Sequence, residues 1–88
     1  MKSDIVKIVV GDEYDEALRK ALSTAISEIG AEVVNKSGGV AGSQDLEVLV
    51  INVGGNIVTI EAETFVGISV EGAESVVADF MKVVNKNL

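Results

Sequence analysis

The stretch Asp45-Leu-Glu-Val-Leu-Val-Ile-Asn-Val-Gly-Gly-Asn-Ile-Val-Thr-Ile-Glu-Ala-Glu-Thr-Phe-Val-Gly-Ile-Ser-Val70 decides the fold. Two runs rich in β-branched residues flank the pair Gly54–Gly55. A two-residue hairpin turn needs positive φ at both central positions, which glycine adopts without steric cost. The stretch therefore reads as a β-hairpin. Such a turn sets Val53 opposite Asn56, Ile51 opposite Val58, Leu49 opposite Ile60 and Glu47 opposite Ala62.

Strand alternation then sorts the side chains. Val58, Ile60, Ala62, Thr64, Val66, Ile68 and Val70 fall on one face with Leu49, Ile51 and Val53, and that face is the expected core. The other face is mixed. It takes Thr59, Glu61, Glu63 and Ser69 together with Leu46, Val48, Val50, Ile57 and Phe65. Gly67 interrupts the second run, which predicts a kink, a bulge or a split into two strands.

Upstream, Asp4–Val10 is short and apolar on both sides apart from Lys7, the pattern of a strand inside a sheet, and Gly11 ends it. Asp12 is the expected helix cap, with Asp15 at the capping-box offset. Ala17, Leu18, Ala21, Leu22, Ala25, Ile26 and Ile29 recur at helical spacing, and Gly30 suits the position after the helix. Ala31–Lys36 reads as a weak strand and Ser37–Gln44 as a flexible connector. The glycines there do not match a phosphate cradle, because the lysine precedes them and a strand follows.

Downstream, Glu71–Gly72 is expected to end the sheet. Ala73, Val76, Val77, Phe80, Met81, Val83 and Val84 then mark a second amphipathic helix ending near Asn85-Lys86-Asn87. The order is β-α-β-β-β-α. The fold class is α+β: a single, largely antiparallel sheet with both helices on one face, forming one compact domain over residues 1–88. If the first strand–helix–strand unit is a crossover, right-handedness is expected.

Composition limits the chemistry. The 88 residues include no Cys, no His and no Pro, 48% are hydrophobic, and the net charge is −7. A chain of this size buries roughly 60–65% of its unfolded surface, so one apolar core has to hold it without disulfides. The absence of His and Cys removes a Ser–His–Asp arrangement, thiol nucleophiles and imidazole or thiolate metal sites. No basic patch offers counter-charge to phosphate, so neither nucleic acid nor an anionic membrane is an expected partner. A basic protein partner suits the charge. No apolar run reaches the ~18–20 residues of a membrane span, and Met1–Asp4 lacks the apolar stretch of a signal peptide. The expected compartment is the cytoplasm.

Two features are candidate sites. Glu61 and Glu63 lie two apart on one strand, roughly 7 Å apart along the backbone. Such a pair could hold a divalent cation or act as acid and base, with Glu47 or Asp12 as a further candidate; the plainer reading is a charged sheet face that resists unwanted strand pairing. The acids Asp12, Glu13, Asp15 and Glu16 similarly read as helix-start residues, not as a calcium loop. The second feature is the set Leu46, Val48, Val50, Ile57 and Phe65, left uncovered if both helices occupy the other face. A contiguous exposed apolar patch of that kind marks an interface, and a twofold homodimer is its simplest use. The expectation is a small acidic non-enzymatic interaction module that self-associates through this face and needs no cofactor. The alternative is a carboxylate-based metal binder or enzyme using Glu61 and Glu63. A small apolar ligand held between sheet and helix is a third reading, disfavoured because an alanine-rich helix should pack too closely to leave a large cavity.

Overall fold

Gly54 and Gly55 take φ values of 57° and 90°, the left-handed pair that the hairpin requires. The computed structural model describes residues 4–41 and 44–88. Its elements are β1 (Ile5–Gly11), α1 (Glu16–Glu28), β2 (Glu32–Ala41), β3 (Gln44–Val53), β4 (Asn56–Glu63), β5 (Gly67–Ala73) and α2 (Glu74–Lys86). The β3–β4 register is the expected one, from Val53 opposite Asn56 to Glu47 opposite Ala62.

The class is α+β, with one antiparallel sheet in the order β1-β5-β4-β3-β2. Gly67 does split the long second run. The turn Thr64–Val66 folds it back, so β4 and β5 pair with each other and the sheet has five strands. Thr64 ties this turn to the start of β3: its backbone N–H donates to the Asp45 carbonyl at 3.0 Å, and its hydroxyl accepts from the Asp45 N–H at 2.9 Å.

Ile51, Val58, Ile60, Ile68 and Val70 are buried in one cluster with Leu18, Ala21, Leu22 and Ala25 of α1 and Val77, Phe80 and Val84 of α2. The sheet residues of this cluster all lie on the face expected to be the core. Full burial of each branched side chain contributes about 1.5–3 kcal/mol. Val66 departs from that face, because the turn lifts it into solvent.

Four expectations are corrected. Asp4–Val10 was expected inside the sheet, but β1 is an edge strand paired only with β5. Its outer side is apolar because Ile5 and Val9 belong to the uncovered face, where they are 68% and 61% exposed. Ser37–Gln44 was expected to be a connector, but residues up to Ala41 continue β2. Ser37 and Gly38 pair with Val48 and Glu47, so β3 imposes strand conformation on a glycine-rich run. Gly42 and Ser43 lie outside the described residues. The cap of α1 is Asp15, whose carboxylate accepts from the Leu18 N–H at 3.0 Å, while Asp12 instead accepts from the Tyr14 N–H at 2.8 Å in the preceding turn. Finally, β5 runs past Glu71–Gly72 to Ala73 and passes straight into α2, whose first N–H donates to the Asp4 carbonyl at 2.8 Å.

The end of α1 follows expectation. Gly30 N–H donates to Ser27 O and Ala31 N–H to Ile26 O, the paired bonds of a glycine-terminated helix. Among the described residues, no helix is long and apolar enough to cross a membrane.

Candidate functional site

The helices bury one face of the sheet. Residues of opposite parity define the other. Register places Leu46, Val48 and Val50 of β3 beside Glu63, Glu61 and Thr59 of β4. Glu61 and Thr59 are in turn beside Ser69 and Glu71 of β5, and these face Val9 and Lys7 of β1. Ile57 and Ile5 extend the same face toward one end and are both more than half exposed. The expected interface residues Leu46, Val48, Val50 and Ile57 therefore share one surface.

Phe65 does not join them on a strand. It sits in the β4–β5 turn with φ of 71°, 84% exposed, and its backbone N–H donates to Glu13 Oε1 at 3.2 Å, not to a strand partner. The turn that Gly67 creates takes Phe65 out of the alternation, to the sheet end near Tyr14. Three residues that alternation in β1 could have contributed were overlooked: Ile5, Lys7 and Val9 point the same way as the β3 stripe.

Glu61 and Glu63 share this face as expected, yet Glu61 is engaged. Lys7 Nζ lies 3.1 Å from Glu61 Oε2, reaching across β5. The hydrogen bond and charge of Glu61 hold the Lys7 ammonium above lysine's usual pKa of 10.5, with smaller contributions from Glu71 and Glu63. Glu47 points to the helix side, where Oε2 pairs with Arg19 Nη1 at 3.1 Å. Asp12 lies in the turn before α1. The four acids are thus not gathered, and among the described residues no group of three or more acidic, His or Cys side chains is placed to hold a metal ion.

The face therefore has an apolar stripe on β3, continued by Ile57, beside a strip of three carboxylates around one ammonium. That arrangement suits burial of the stripe against another surface, with the charges at its side. Comparison with family models, curated proteins and solved structures finds no match for this chain.

Proposed function

We propose that the chain is a small acidic, non-enzymatic, cytoplasmic protein–protein interaction module that self-associates through the uncovered face of its sheet. One observation carries this reading: Leu46, Val48, Val50 and Ile57 form an apolar surface on the side of the sheet away from both helices. Such surfaces are buried in interfaces. The edges of the sheet are less suited to association. Both edge strands are irregular, β1 between Val9 and Gly11 and β2 between Val33 and Asn35, and such bulges hinder edge-to-edge pairing.

The carboxylates Glu61, Glu63 and Glu71 make a basic protein the competitor for the same face. The alternative use of Glu61 and Glu63 as a cation or acid–base site gains no support from their placement, since Lys7 already neutralises Glu61.

Sedimentation equilibrium tests the proposal. The wild-type protein should be a dimer at micromolar to millimolar concentration. Val50→Lys, at a half-buried position, should weaken the dimer at least about tenfold, roughly 1.4 kcal/mol, while leaving the circular dichroism spectrum intact. A wild-type protein that stays monomeric throughout this range would remove self-association.

A further inference from the structure

A groove of about 580 Å³ lies on the opposite side of the sheet, between α1 and strands β2 to β4. Its apolar walls include Leu22 and Ile26 of α1 and Leu49, Ile60 and Ala62 of the sheet. The expectation that alanines would close this space fails for a simple reason. Ala21 and Ala25 are fully buried in the core, and neither lines the groove; Leu22 and Ile26 do. The volume lies within the ~300–1,000 Å³ typical of small-molecule sites.

The polar part of the lining runs against the charge of the chain. The protein has a net charge of −7, yet the charged residues lining the groove are Arg19, Lys36 and Glu47. Arg19 and Glu47 neutralise one another at 3.1 Å, and Arg19 Nε also donates to the Glu13 carbonyl at 2.7 Å. Lys36 has no hydrogen-bond or ion-pair partner among the described residues. The hydroxyl-bearing Ser23 of α1 completes the polar side.

We propose that this groove binds a small amphiphilic carboxylate, its apolar body against Leu22, Ile26 and Ala62 and its anionic head at Lys36. Lys36 is exposed, so an apolar ligand without charge would bind without drawing on its ammonium, whereas a carboxylate gains that contact. A cationic ligand would be repelled by the ammonium, because the one lining carboxylate among the described residues, Glu47, is already paired with Arg19. The site lies mainly on the helix side of the sheet, and of the association-face residues Leu46, Val48, Val50 and Ile57 only Val48 also borders it.

The probe is decanoate below its micelle concentration, titrated into the full chain and followed by amide NMR shifts. Saturable shifts should cluster at Leu22, Ile26, Leu49 and Ala62. Decyltrimethylammonium should bind at least about tenfold more weakly. Lys36→Glu lies on an exposed edge strand, so the fold should persist, and it should weaken decanoate about fivefold, the worth of one partly exposed charge pair. Ala62→Phe, which fills the groove, should abolish the shifts. The proposal is overturned if no saturable shifts occur at these residues, if the cationic probe binds as well as decanoate, or if Lys36→Glu leaves decanoate affinity unchanged.

Discussion

Gly67 opens β5 at φ of 108°, and a Cβ there would run into the carbonyl oxygen of Gly11. Both the backbone angle and the close approach require glycine. Gly67→Ala should therefore destabilise the protein by about 2–4 kcal/mol, seen as a lower urea midpoint at unchanged slope. The contrast with Gly54 and Gly55 is informative. A Cβ at either would meet nothing within 4 Å, so only the backbone angle constrains them. Phe65, two residues before Gly67, is a bulky residue held at positive φ with its ring in solvent. Such a conformation costs on the order of 1 kcal/mol and persists because the flanking strands dictate the turn.

At the scale of elements, α1 depends on its first turn. Asp15 supplies the side-chain cap, and Glu16 is the acid beside the positive helix end. Asp15→Ala should cost about 1 kcal/mol, measured by thermal or chemical denaturation, whereas Asp12→Ala should cost less because Asp12 caps only the preceding turn. Elements with their own periodicity were legible in the sequence: the hairpin, both helices and the break at Gly67. Elements held by a partner were not. Ser37–Ala41 looks like a loop until β3 is laid beside it, and β1 looks interior because its apolar outer side belongs to an uncovered face. The candidate site divides in the same way. Alternation placed Leu46, Val48, Val50, Glu61 and Glu63 on one surface, but no local signal told that Phe65 would turn away or that Lys7 would reach Glu61. The groove beneath α1 was illegible because it depends on which alanines face the core.

At the scale of the whole molecule, β1 is joined to the sheet through β5 alone, and Lys7 adds a tie beyond it to Glu61 on β4. A lysine whose pKa rises on folding gives its full stabilisation below its ordinary value of 10.5 and loses it as pH climbs through the raised value. Stability should therefore decline above pH 10.5 more steeply in the wild-type protein than in Lys7→Met, a difference read from urea titrations at pH 9 and above. The Lys7–Glu61 pair is solvent-exposed, so the difference should be small and should shrink with added salt.

The sheet order has a consequence for how the protein is made. Residues 5–11 are synthesised before the strand they must join, residues 67–73. While the residues between them are made, the first strand, with Ile5, Val6, Ile8 and Val9, has no mate, and the nascent chain cannot close its sheet until synthesis of β5 is complete.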